Sequence, residues 1–173
     1  MTAIAQWQED NGTATGSPAK GATRNNTNNV NWKSVDDTTT SPANATILAG
    51  TNSYPKYTFV KFTGTFNQLS MGRFAHAGGS VSPNTKLVGL VTSTYTTPTR
   101  GALAGAKDLS NPVSLDNGEP VKFAPAGPEG TAVGDRLTMA GYTQYMVTQL
   151  QTTGSAQPGD TPELTLAFRW NEN

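Results

Sequence analysis

From Val30 onward the chain is built of short runs in which large apolar side chains recur at every second residue, separated by turn formers. A period of two puts successive side chains on opposite faces of a strand, so these runs predict β-strands. Lys56–Phe66 is the richest: Val60, Phe62 and Phe66 share one face, and Tyr57 and Phe59 share the other. Apolar groups on both faces predict a central strand, covered on each side. Thr85–Tyr95 is a second run, carrying Leu87, Val88, Leu90 and Val91 and ending in a Ser/Thr ladder, Thr92 to Thr97, that could offer a wet edge to a partner. Val113–Leu115, Val121–Phe123 and Arg136–Met139 are shorter candidates, the first two joined by the turn signal Asp116-Asn117-Gly118. In Tyr142–Thr153, Tyr142, Met146 and Leu150 share a face. In Glu163–Asn171, Leu164, Leu166, Phe168 and Trp170 point one way, while Glu163, Thr165, Arg169 and Asn171 point the other. With Gly154 to Asp160 between them, the last two runs predict an antiparallel hairpin with one dry and one wet face.

Helical patterns are weak: a turn at Asn67–Met71, and Ala102–Leu109, which Gly101 and Gly105 disfavour. Eighteen glycines and eleven prolines punctuate the chain. The predicted fold is all-β: an antiparallel β-sandwich, jelly-roll or immunoglobulin-like, spanning 30–173.

Residues 1–29 have a different texture. No Val, Leu, Ile, Met or aromatic side chain occurs from Gln8 to Asn29, and Gly, Thr, Ala, Ser and Asn dominate. Such a run buries too little to offset about 1–2 kcal/mol per residue of backbone ordering. It therefore predicts an extended low-complexity N-terminal arm, packed on its own domain or, the reading preferred here, lying on a neighbouring subunit. After Met1, Ile4 and Trp7 are its only large apolar anchors, and with Trp32 they are the candidate partner-binding residues.

Charge and composition narrow the function. Twelve basic and twelve acidic side chains leave no net charge, which points away from nucleic acid and anionic membranes as partners. No run approaches the about 20 apolar residues of a membrane span, and the first residues have neither the basic nor the apolar region of a signal peptide. Without cysteine there is no thiolate chemistry and no Cys-ligated zinc. The single histidine, His76, stands in Arg73-Phe74-Ala75-His76-Ala77-Gly78-Gly79, with no motif that supplies a nucleophile or an orienting carboxylate. Asp36-Asp37 and Asp116 with Glu119 are at most surface calcium candidates, since no EF-hand loop is present. No catalytic residue, metal or cofactor is expected. Trp32, Tyr54, Tyr95, Tyr142 and Tyr145 could form a sugar-stacking platform, although core and interface packing explains them more simply.

Three segments carry a resemblance: Val30-Asn31-Trp32-Lys33-Ser34-Val35-Asp36-Asp37; Gly50-Thr51-Asn52-Ser53-Tyr54-Pro55-Lys56-Tyr57 running to Phe62-Thr63-Gly64-Thr65-Phe66-Asn67-Gln68; and Gly141-Tyr142-Thr143-Gln144-Tyr145 through Gln149-Leu150-Gln151-Thr152-Thr153 to Pro158-Gly159-Asp160-Thr161. Over residues 30–173 the chain resembles small structural proteins of tailed bacteriophages. The resemblance implies a non-enzymatic virion protein made in the bacterial host cytoplasm and placed on the particle surface. The expected role is a capsid decoration (cement) protein that binds the major capsid protein or other virion proteins as a homo-oligomer, with a trimer the favoured form. A tail, head–tail junction or fibre component is the rival within the particle, and a carbohydrate-binding module for host attachment is the rival outside that class.

Overall fold

In the computed structural model, which describes residues 2–157 and 163–173, twelve strands form two antiparallel sheets. The strands are β1 (Ala3–Thr15), β2 (Lys20–Asn26), β3 (Lys56–Gly64), β4 (Leu69–Gly78), β5 (Thr85–Thr92), β6 (Lys107–Asp108), β7 (Glu119–Pro120), β8 (Phe123–Ala124), β9 (Arg136–Leu137), β10 (Gly141–Thr143), β11 (Tyr145–Thr152) and β12 (Thr165–Glu172). The larger sheet runs β2-β1-β3-β11-β5-β6, with β10 bridging β3 and β8. The smaller runs β12-β4-β7, with β9 also on β4. The sequence expectation of an all-β antiparallel sandwich is the fold observed.

β3 is central, as its two-sided apolar pattern predicts. Val60 and Phe62 face the smaller sheet and join Phe66, Leu69, Phe74, Val121, Phe123, Leu137 and Met146 in the main core. Tyr57 and Phe59, on the opposite face, pack with Tyr95, Tyr145 and Val147 in a second core. That second core explains two departures. The Thr92–Thr97 ladder is not an edge strand beyond Thr92; it folds back so that Tyr95 is buried, its hydroxyl donating to the Gly12 carbonyl at 2.7 Å. Tyr95 and Tyr145 are therefore packing residues and cannot form a sugar platform.

The N-terminal segment is not an arm. β1 pairs with β3 from Ala3↔Gly64 to Asp10↔Tyr57, and β2 closes the sheet as its edge. The apolar deficit is offset by charge pairing: Glu9, Asp10 and Asn11 are only 1–2% exposed. Glu9 and Asp10 adjoin and so project from opposite faces. Glu9 accepts from the buried Lys56 Nζ at 2.9 Å and from Asn11 Nδ2. Asp10 accepts both guanidinium arms of Arg24, at 2.7 and 2.8 Å, and the Tyr145 hydroxyl at 2.6 Å. Gly12 (φ +85°) sits in a β-bulge opposite Ala22, and its N–H donates to Asp36, tying the following loop to β1.

The last two runs are not a hairpin. β11 lies between β3 and β5, while β12 crosses to the other sheet and pairs with β4. The turn residues Pro158 to Asp160 lie outside the described residues. Leu166, Phe168 and Trp170 do pack on the main core, but only half-buried, because β12 is an edge. The helical candidates are absent: Asn67–Met71 leads into β4, and Ala102–Leu109 is loop ending in β6. β4 escapes the sequence pattern because Leu69 and Phe74 are five apart yet both reach the core. A one-residue bulge at Met71-Gly72 shifts the register and restores them to one face. Residues 115–117 form a single 3-10 turn rather than a hairpin turn.

Candidate docking cleft

Eight strands face four, so the inner surface of the larger sheet extends past β12 and the chain between β2 and β3 must cover it. Trp7, opposite Val60 in the register, points into this space. Thr27 donates its N–H to the Trp7 carbonyl at 3.0 Å, and its hydroxyl donates to the Asn29 carbonyl at 2.7 Å, which fixes the loop that follows β2. Trp32 is held by its indole N–H, donated to the Thr148 hydroxyl on β11 at 3.2 Å. The result is a cleft of about 580 Å³ with Trp7, Trp32 and Leu150 on one side and Leu164 and Leu166, entering β12, on the other. Asn28, Asn29 and Asn31 supply the polar wall, and among the described residues Glu163 is the one charged side chain in the lining.

Of the three candidate partner-binding residues, Trp7 and Trp32 are brought together here, 25 positions apart in sequence. Ile4 is not; it points to the other face of the sheet and is 63% exposed. Sequence reasoning missed the asparagines, which look like part of the low-complexity run. Their clustering between Asn25 and Asn31, immediately before Trp32, was the available signal.

The wall behind the cleft is electrostatically anchored. Lys33, buried, donates to Asp37 at 2.7 Å and to the Thr40 carbonyl at 2.8 Å, and Asp37 also accepts the Thr40 N–H at 2.9 Å. The Lys33 ammonium, then the Thr40 hydroxyl, hold the Asp37 carboxyl well below the usual carboxylate range. A depressed folded-state pKa contributes stability above the unfolded value and loses it as pH falls. Acid melts should therefore show stability declining from about pH 5 downward. Asp37→Asn should flatten that decline while lowering stability at neutral pH, because it strips the counter-charge from a buried ammonium. An unchanged acid profile in the variant would remove Asp37 from this role.

Two buried titratable groups elsewhere, His76 and Asp10, are occupied by partners within the protein. His76 is enclosed, with Nδ1 2.8 Å from the Leu109 carbonyl oxygen and Nε2 2.7 Å from that of Gly78, so neither nitrogen is open to a substrate. The Asp10 carboxylate is fully shielded by Arg24 and Tyr145. Among the described residues, no three His, Cys, Asp or Glu side chains gather as metal ligands. What the cleft offers is flat apolar surface bordered by amides, a surface for contact. Comparison with known protein families, curated proteins and solved structures finds no match for this chain.

Proposed function

We propose that this protein is a non-catalytic structural component of a tailed-phage particle, a decoration protein that attaches to the major capsid protein through the Trp7–Trp32 cleft. The observation that carries this reading is the convergence of Trp7, Trp32 and Leu166 beside β12, which among the described residues pairs only with β4. A free strand edge next to an apolar cleft suits strand addition: a partner segment hydrogen-bonds to the edge and seats alternate side chains in the cleft. The resemblance of residues 30–173 to phage structural proteins supplies the partner. Homo-oligomerisation, a trimer at a shell three-fold being the simplest form, adds avidity from symmetry-related sites.

The test is copy number and attachment. Purified particles should carry the protein in hundreds of copies, and added protein should bind particles lacking it. Asn29→Arg, which fills the cleft mouth from an exposed position, should abolish that binding with the fold intact by circular dichroism. Tens of copies or fewer would place it in the tail or head–tail junction. Full binding by Asn29→Arg would remove the cleft from the interface.

A second reading is favoured by the three asparagine amides beside two indoles, the chemistry that suits a neutral glycan for host attachment. A glycan-array signal lost in Trp32→Ala would select it.

A further inference from the structure

At the far end of β12 the molecule carries a second concavity with different chemistry. Leu166 lines the Trp cleft and Asn171 lines this groove, five residues and roughly 17 Å apart along the strand. The groove encloses about 980 Å³, with Met71, Val91 and Val133 among its apolar lining. Its charged lining is mostly basic. Lys107 is engaged by Glu119 at 2.6 Å, while Arg73, Lys122 and Arg136 form no ion pair among the described residues. Among the described residues, Asp135 is the one further acidic side chain there. In a chain with no net charge, four cations against two carboxylates leave an excess of two positive charges around one groove, a local positive surface.

Met71 gives the second, independent observation. It opens the β4 bulge with φ +56°, a conformation that glycine adopts freely and a methionine only at a cost. The adjoining Gly72 has its own requirement: a Cβ there would sit 2.5 Å from the Val121 carbonyl oxygen. At 71 the side chain makes one weak contact inside the protein, its Sδ accepting from Asn171 Nδ2 on β12 at 3.3 Å, and the methionine is 58% exposed. A strained backbone position that presents a mostly exposed thioether in a cationic groove suits a contact residue, because one weak, exposed hydrogen bond to sulfur returns less than the strain costs.

We propose that this groove is a second docking surface, which takes an extended acidic segment of a partner protein and seats an apolar side chain of that segment against Met71. It does not depend on what fills the Trp cleft. Two docking surfaces at opposite ends of one strand would let a single copy bridge two neighbours.

The test uses the full chain with methyl-labelled methionine. The probes are a fluorescent peptide of alternating Glu and Leu, its Lys/Leu counterpart, and dextran sulphate. The Glu/Leu peptide should bind, move the Met71 methyl signal and weaken with salt. Lys122→Glu with Arg136→Glu should cost about tenfold or more in affinity. Met71→Gly should weaken binding several-fold yet raise Tm by about 2–4 °C, because the strain is relieved. A purely structural Met71 would give the opposite stability change. The proposal is overturned by no binding up to millimolar peptide, by equal binding of the Lys/Leu peptide, by an unmoved methyl signal, or by a lower Tm in Met71→Gly. Binding of dextran sulphate without the peptide would also overturn it, assigning the groove to an anionic polysaccharide. Attachment through the Trp cleft is read separately by the Asn29→Arg particle assay, so the two proposals fail independently.

Discussion

Arg24→Met should destabilise the protein by about 3 kcal/mol, a large share of the about 5–15 kcal/mol a domain possesses. Arg24 joins the edge strand β2 to the body of the larger sheet. Its guanidinium grips both oxygens of Asp10, reaches Glu129 at 2.9 Å and lies over the Phe59 ring, 4.7 Å from its centroid. Methionine keeps part of the aliphatic stem but leaves the Asp10 carboxylate, wholly buried, with only the Tyr145 hydroxyl as side-chain partner among the described residues. Burial first, then the hydrogen bond to Asp10, pushes that hydroxyl far above its usual range, so it stays a donor and cannot become a competing anion. Breaking a buried pair by removing one partner costs about 3–5 kcal/mol. The lower end applies because a quarter of the Arg24 side chain remains open to water. Arg24→Lys, which retains the charge without the two-pronged geometry, should fall between. Urea melts measure the loss, and hydrogen exchange should show β1 and β2 opening first. A variant within about 0.5 kcal/mol of the parent would mean that the charge cluster does not hold the hairpin.

Phe62→Ala should cost about 3–5 kcal/mol. Phe62 is fully buried where the two sheets meet, with ring centroids 5.2 Å from Trp170, 6.0 Å from Phe123 and 6.3 Å from Phe168. Truncation removes apolar burial and leaves a cavity lined by residues of both sheets, which cannot collapse without drawing the sheets together. Phe168→Ala should cost roughly half as much, because β12 is an edge and its side chains are half-buried. Arg169→Ala should cost less than about 1 kcal/mol, since its ion pair with Asp116 lies at the surface. The order Phe62, Phe168, Arg169 is the test. If Arg169→Ala exceeds Phe168→Ala in urea melts, the register of β12 is wrong.

Both predictions bear on the docking surfaces. The Arg24 cluster holds β1, which carries Trp7, from the opposite face of the sheet; the Lys33–Asp37 pair holds the segment that carries Trp32; and Phe62 sits between the two sheets. Preorganised walls lower the ordering cost that a partner must overcome. In the proposed docking, the cleft would present its indoles preorganised, while the Met71 groove sits at the other end of the same strand.

The sequence by itself determined the all-β class and the positions of β3, β5, β11 and β12, because a period of two is a local property that neighbouring residues reveal without knowledge of their partners. It also marked Trp7 and Trp32 as residues of interest. It could not show β4, whose bulge breaks the period, since only pairing with β12 discloses which residue is extra. Nor could it show that residues 1–29 belong to the sheet. That segment lacks apolar side chains, and its stabilising contacts, Glu9 with Lys56 and Asp10 with Tyr145, join residues 47 and 135 positions apart. The tertiary structure alone decided that β11 and β12 separate into different sheets, that Tyr95 and Tyr145 are buried, and that Trp7 and Trp32 share one cleft. Each of these follows from strand pairing and sheet packing, where a residue's environment is set by chain that is distant in sequence and close in space.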